Sequence, residues 1–350
     1  MSSSNPLDIE VLSFKYELHF GGESMPINEF RDSVDILIDE ISLPATHFAS
    51  NGDTDEVTSS EVTDPPGGVR LLCISGIHGH YLDTLSKRLL KSNFRRAGKV
   101  ADCAIFYTYN KSSQEKLFPT EKEITIELPE LSRQALGCNF TWEKWNFDGS
   151  FIIETRTFTV ICGNFVNDEI TFGKPYTSTL TRLCNIVTNP RAVARGLSVC
   201  STTDFAIFAL DTGIRKHYLE PLLNSEIVID SWEMCGTDLS RFTVDSKTNG
   251  FAESIGQRNR RDRIYTVNTR LWRATKGKEV AESSIRKNKS LHPEDTFLEL
   301  TSEEGTLFGE KSERSSYEDA ISHTNFTLQL NEEGKIISPH YLLRCNISVE

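Results

Sequence analysis

Apolar and polar positions alternate over much of the chain. In "LDIEVLSFKYELHFGG", Phe14, Tyr16, Leu18 and Phe20 fall on one face and Lys15, Glu17 and His19 on the other, a period of two that predicts a half-buried strand ended by Gly21-Gly22. The period then changes. Phe30, Val34, Leu37, Ile38 and Ile41 follow helical spacing, and Pro44 closes that segment. After a turn-rich acidic stretch, "VRLLCIS" reads as a short apolar strand running into a Gly/His turn. A helix follows with Leu82, Leu85, Leu89 and Leu90 on one face, and Gly98 is its expected stop. "VADCAIFYTYN" is the next strand.

From about Glu121 onward strand patterns dominate: "EITIEL", "NFTWEKWNFDGSFIIETRTFTVICGNF", "DEITFG", "TDFAIFAL", "SEIVIDSWEM", "RIYTVNTRLW", "DTFLEL", "NFTLQL" and "HYLLRCNISVE". Asp148-Gly149 predicts a hairpin turn. "STLTRLCNIVTNPRAVARGL" predicts a helix as far as Asn189-Pro190, with "TNPRAVARG" and "EEGTLFGEKSERSSYED" as loops. The expected fold is α+β, predominantly antiparallel β (sandwich or barrel-like), with a small strand-helix-strand unit near the N-terminus. The expected organisation is a strand plus helix at 1–50, an acidic linker at 51–68, the strand-helix-strand unit at 69–120 and a β-rich body at 121–350.

Composition adds bounds. The chain's 350 residues carry a formal net charge of -12, and no run approaches the ~18 apolar residues of a membrane span. The N-terminus lacks a basic region followed by an apolar run, so no signal peptide is predicted. The cysteines (Cys73, Cys103, Cys138, Cys162, Cys184, Cys200, Cys235 and Cys345) form no C-x-x-C pair, and several sit in apolar runs. They predict reduced, buried thiols in a cytoplasmic or nuclear protein. In that setting triplets such as Asn110-Lys111-Ser112 are not glycosylation sites.

Charge is segregated. The first 66 residues hold two basic side chains, Lys15 and Arg31, against fourteen acidic ones. Residues 257–278, "QRNRRDRIYTVNTRLWRATKGK", are strongly basic, and "RKNK" follows at 286–289. The arginine forks of Arg258, Arg260, Arg261 and Arg263 match phosphate oxygens. With Arg270, Arg273, Lys276 and Lys278 they define an expected nucleic-acid strip, on which Trp272 or Tyr265 would stack a base. The alternative is that these cations pair with acidic residues of the same chain.

"CISGIHGHYLDTL" is similar to the strand-to-helix turn of calcineurin-like metallophosphoesterases, in which His78 and Gly79 match. Gly76 stands where that family's metal-binding aspartate leads the turn. Asn164, in "VICGNFVNDE", stands where its second aspartate belongs, and the Gly-Asn-His-Glu motif is absent. The resemblance therefore implies neither that enzyme nor its metal. A triphosphate tunnel would explain the polar strand faces Lys15/Glu17/His19, Glu154/Arg156, Thr266/Asn268/Arg270 and Arg344/Asn346/Ser348/Glu350, but paired Glu-x-Glu strands are missing. Walker, Rossmann and Gly-x-Ser-x-Gly signatures are absent.

The expectation drawn from sequence is a non-catalytic binding or scaffold factor without cofactor or catalytic residues. It would contact RNA, single-stranded nucleic acid or another phosphate-rich partner through 258–289. The alternatives are a metal-dependent phosphohydrolase of tunnel type, or a protein-binding complex subunit that meets an acidic partner.

Overall fold

A computed structural model describes 7–20, 23–42, 68–109, 114–120, 123–131, 133–165, 174–188, 203–212, 227–235, 243–245, 258–269, 272, 321–328, 338, 340 and 342–349. Two mixed β-sheets pack face to face, and helices cover both outer faces. The first sheet is built from β1 (Leu7–Lys15), β4 (Val69–Ser75), β5 (Arg95–Val100), β6 (Cys103–Tyr109), β16 (Ile321–Leu328) and β17 (Leu342–Val349), in the order β16-β17-β1-β4-β6-β5. The second is built from β7 (Glu115–Pro119), β8 (Ile124–Leu128), β9 (Arg133–Trp145), β10 (Ile152–Asn164), β11 (Phe205–Asp211), β12 (Val228–Asp230) and β15 (Asp262–Val267). Its order is β12-β15-β11-β10-β9-β7, with β8 also on β9. The short pairs β2 (His19–Phe20)/β3 (Glu23–Ser24) and β13 (Val244–Asp245)/β14 (Arg258–Asn259) lie apart.

The expected α+β class holds, with mixed rather than purely antiparallel sheets. β1 pairs β4 in parallel, and β10 pairs β11 in parallel. The first sheet also joins the chain's beginning, its 69–109 stretch and its final strand. From Val11 onward β1 is buried on both faces rather than half-buried: Leu7, Ile9 and Val11 point between the sheets, while Leu12 and Phe14 meet the helices and only Asp8 and Glu10 keep exposure. The same period-two split organises every central strand, so the interior is layered. Tyr107, Phe140, Phe158 and Phe205 cross the middle layer as an aromatic file, with successive centroids 5.6, 5.5 and 5.1 Å apart. Burying each ring contributes about 1.5–3 kcal/mol, before any gain from stacking.

Helices α1 (Ile27–Ser42) and α2 (Gly79–Lys91) cover the first sheet with Phe30, Val34, Leu37, Leu82, Leu85 and Leu89. α3 (Lys174–Thr188) covers the second with Leu180, Leu183, Cys184 and Val187, and ends just before Asn189-Pro190 as the proline requires. Three local readings change. α2 ends at Lys91, and Gly98 belongs to β5 at a register irregularity, where an added Cβ would sit 2.6 Å from Glu123 Cβ. That glycine permits close approach of the second sheet rather than stopping a helix. "SEIVIDSWEM" is a strand only to Asp230 and then a short helix, α4 (Ser231–Cys235). "RIYTVNTRLW" leaves the sheet after Val267. The segments "DEITFG" and "DTFLEL", residues 189–196 of "TNPRAVARG", the loop at 303–319 and residues 51–67 of the expected linker lie outside the described residues. Cys73, Cys103, Cys138, Cys162, Cys184 and Cys345 are free and buried. Among the described residues, no helix is long and apolar enough to cross a membrane.

Candidate active site

The apolar rows that fill the middle layer end in polar residues at one edge of the sandwich. On β1 the inward row Leu7, Ile9, Val11 continues through Ser13 to Lys15. On β11, Phe205, Ile207 and Ala209 lead to Asp211, and on β10, Phe158, Val160 and Cys162 lead to Asn164. β15 runs the other way and begins with Asp262, the direct cross-strand partner of Asp211. Parity alone thus points Lys15, Asp211 and Asp262 between the sheets at the same end. His340 joins them from the segment preceding β17, bridging to Val244.

The Lys15 ammonium donates to Asp211 Oδ2, and Arg261 Nε lies 3.5 Å from Asp211 Oδ1. That second oxygen is buried and accepts no hydrogen bond among the described residues. His340 Nδ1 is 2.6 Å from Asp262 Oδ2. An ionised carboxylate can only accept, so Nδ1 donates and the other ring nitrogen, Nε2, is left as the basic atom. Ser338 ties the two halves together. Its hydroxyl donates to the Lys15 carbonyl at 2.6 Å and accepts from the His340 amide at 3.1 Å. Thr243 Oγ1 accepts from the amides of Arg261 and Asp262, fixing the start of β15. Asp211, Asp262 and His340 are at most 4% exposed and Lys15 is 7% exposed. Burial alone would push the Asp211 carboxyl up. The Lys15 ammonium, His340 and Arg261 outweigh it and hold the carboxyl below its usual range.

The expected basic strip divides on inspection. Arg261 reaches this cluster. Arg260 instead pairs with Glu233 at 2.8 Å and lies 3.9 Å over the Trp232 ring. Arg263 is buried and bonded to Asp230 at 2.5 Å. Both serve the chain's own acids rather than an open strip. Trp272 is a core residue, 2% exposed, and its indole N–H donates to Asn185 Oδ1. The stacking-platform reading of Trp272 is corrected, because a buried ring has no face to offer a base. Tyr265 is likewise in the core. Arg258 lies on β14, while Arg270, Arg273, Lys276, Lys278 and residues 286–289 fall outside the described residues.

The tunnel is not formed, since two open sheets pack face to face. Glu154 and Arg156 bond each other at 2.7 Å, and Arg344 turns to Glu10 at 3.2 Å. His78 and His80 are exposed at the start of α2 and belong to no ligand cluster among the described residues. Sequence reasoning missed Asp211, Asp262 and His340 altogether, and placed Lys15 only as a strand-face residue. The available signal was the polar residue closing each apolar row: Lys15, Ser75, Asn164 and Asp211.

This architecture is shared with solved structures of TDP2. Among solved structures, TDP2 from C. elegans aligns with 11% identity over 98% of this chain and 75% of that one, at a TM-score of 0.52. A truncated Caenorhabditis elegans TDP2 aligns with 10% identity over 98% of each chain, at 0.50. The human Nocturnin catalytic domain with bound sulfate anion aligns with 11% identity over 99% and 94%, at 0.49. No protein-family model matches the chain, and no curated protein matches it in sequence. The expectation of a non-catalytic scaffold or protein-interaction factor is corrected by this likeness, because TDP2, the neighbour that shares the fold, is a phosphodiesterase. An acidic protein partner finds no support.

Two carboxylates and an imidazole make a metal-ligand set, so the cluster must be tested against a divalent ion. Asp211, Asp262 and His340 each offer a ligand atom, all within 4.8 Å of one another. Yet Asp211 Oδ2 already holds an ammonium and Asp262 Oδ2 already holds an imidazole. A dication about 4 Å from that ammonium would be repelled by roughly 8 kcal/mol at an effective dielectric of ~20. The residues as arranged do not fit the metal.

Proposed function

We propose that the protein hydrolyses phosphate esters of single-stranded nucleic acid at the Lys15–Asp211–Asp262–His340 cluster. The observation that carries the reading is the His340–Asp262 pair, with Nδ1 2.6 Å from the carboxylate, placed beside two cations at the strand ends. His340 Nε2 takes a proton from water as the water oxygen attacks phosphorus. Asp262 keeps the tautomer and stabilises the imidazolium. The new P–O bond forms as the ester P–O bond breaks, and the leaving oxygen is protonated by solvent. Lys15 and Arg261 lie where charge on the phosphoryl oxygens develops, and Asp211 fixes the ammonium. Support for a phosphate-bearing substrate comes from Arg261, the member of the basic run 257–263 that reaches the cluster. The net charge of -12 opposes long-range attraction of a polyanion, so short strands are the favoured length.

The test is cleavage of a short labelled single-stranded oligonucleotide and of a bis-aryl phosphodiester by the full chain, with MgCl2 and separately with EDTA. His340→Gln should lower turnover by about 10²–10⁴-fold, the usual contribution of a positioned general base. No hydrolysis of either substrate under both conditions, or a His340→Gln variant as active as wild type, overturns the proposal.

A further inference from the structure

We infer that the Lys15 ammonium is the site's resident cation, and that the Asp211–Asp262–His340 cluster takes up no divalent metal while Lys15 is in place. What this cation does rests on the phosphate-ester reading; the exclusion of metal does not. Three observations carry it. Each carboxylate already has one oxygen engaged by a donor of the chain, and a cation faces the other Asp211 oxygen: Lys15 Nζ donates to Asp211 Oδ2, His340 Nδ1 donates to Asp262 Oδ2, and Asp211 Oδ1 faces Arg261 at 3.5 Å. The cluster already holds two cations for its two carboxylates: Lys15 and Arg261 both face Asp211, and His340 bonds Asp262. Any added dication would leave a buried excess of positive charge. The lysine is also anchored. β1 is hydrogen-bonded to β17 on one side and β4 on the other, and Ser338 holds the Lys15 carbonyl, so the ammonium is delivered by a fixed backbone.

An ammonium and a divalent ion answer the same need, a positive charge beside a carboxylate and a phosphoryl oxygen, but only the ion depends on supply. In this chain the cation is part of the sequence. Removing it should expose the ligand set that it occupies: two carboxylates and an imidazole, a chemistry suited to Mn²⁺.

The experiment is titration of the full chain with MnCl2 alone, read by electron paramagnetic resonance of free Mn²⁺, with no substrate present. Wild type should show no Mn²⁺ binding that depends on Asp211. Lys15→Asn and Lys15→Gln should each gain one Mn²⁺ per chain, at least tenfold tighter than any wild-type binding, and Asp211→Asn in the same background should abolish the gain. A wild-type protein that binds one Mn²⁺ per chain and loses it with Asp211→Asn overturns the inference. So does a folded Lys15 variant, with unchanged circular dichroism, that gains none. Should neither Lys15 variant fold, the wild-type titration against Asp211→Asn decides alone. Because nothing here is read as turnover, failure of the hydrolysis assay leaves this result untouched.

Discussion

Replacing Lys15 by methionine keeps the length of the side chain and deletes its charge. In the native protein the ammonium bonds Asp211 Oδ2, while Oδ1 accepts no hydrogen bond among the described residues and Arg261 Nε stays 3.5 Å away. The substitution therefore strands a fully buried carboxylate with one distant cation. Removing one partner of a buried pair costs about 3–5 kcal/mol, and the retained Arg261 places this case near the lower end, about 3 kcal/mol. The double variant Lys15→Met/Asp211→Leu removes the stranded charge as well. It should be more stable than Lys15→Met alone, with a coupling of about 2 kcal/mol between the positions. Urea denaturation at pH 7, followed by far-UV circular dichroism and extrapolated linearly, measures all four corners of the cycle. The pH dependence supplies a second check. The folded Asp211 carboxyl is held below its ordinary range, so its contribution is complete above the unfolded carboxylate's pKa near ~4. It is lost as pH falls from there through the depressed folded value. The gap between wild type and Lys15→Met should thus be widest near pH 7, begin to narrow as pH falls through the range where the variant's stranded carboxyl, raised by burial, takes up a proton, and close as pH falls through the depressed folded value of wild type. A Lys15→Met variant within about 1 kcal/mol of wild type at pH 7, or additive singles, would refute the pairing argument.

Further outcomes follow from burial. Trp272→Ala should cost about 3–5 kcal/mol of stability by emptying a core position, and leave oligonucleotide affinity of the folded fraction unchanged in a binding assay under native conditions. Gly76→Ala should reduce soluble yield and lower the melting temperature, because φ is +73° and the new Cβ would lie 2.0 Å from the Tyr16 carbonyl oxygen. Ellman's reagent should leave Cys103, Cys138, Cys162 and Cys184 unmodified until denaturant is added. Burial pushes the Cys138 thiol up to about 12 and raises the Cys184 thiol; the contact with Cys162 and burial raise Cys103, and at Cys162 the contact with Cys103 lowers the thiol but the contact with Cys73 and burial outweigh it.

The layers were legible where one periodicity governed one face. Leu82, Leu85 and Leu89 announced α2, Pro190 announced the end of α3, and Asp148-Gly149 announced the β9–β10 hairpin, where Gly149 has φ +70°. The sheets' parallel pairs were not legible. β1 lies beside β4 with helix α1 between them in sequence, and β10 lies beside β11 across α3. Period two records which face is buried and carries no record of strand direction. Trp272 misled for a related reason. Alternation carried past Val267 assigns it to a polar face, whereas the chain has by then left the strand and turned the ring into the core cluster that also holds Val267 and Leu183.

The site was hidden by its mode of construction. Lys15, Asp211, Asp262 and His340 come from four places in the chain, and none stands in a local motif. Each is ordinary as an isolated letter, and only a shared strand end brings them together. The conspicuous feature, the arginine run at 258–263, drew attention to bulk charge. Charge is informative here only residue by residue: Arg263 neutralises Asp230, Arg260 neutralises Glu233, and Arg261 alone of the three pairs with Asp211. A buried cluster of this kind requires that its charges be balanced within the chain, since solvent cannot balance them. A lysine closing an apolar strand row is the first half of such a balance, and an aspartate closing another is the second. In this protein the two ends meet, which is why Lys15 reads as a surface residue in the sequence and as the central cation in the fold.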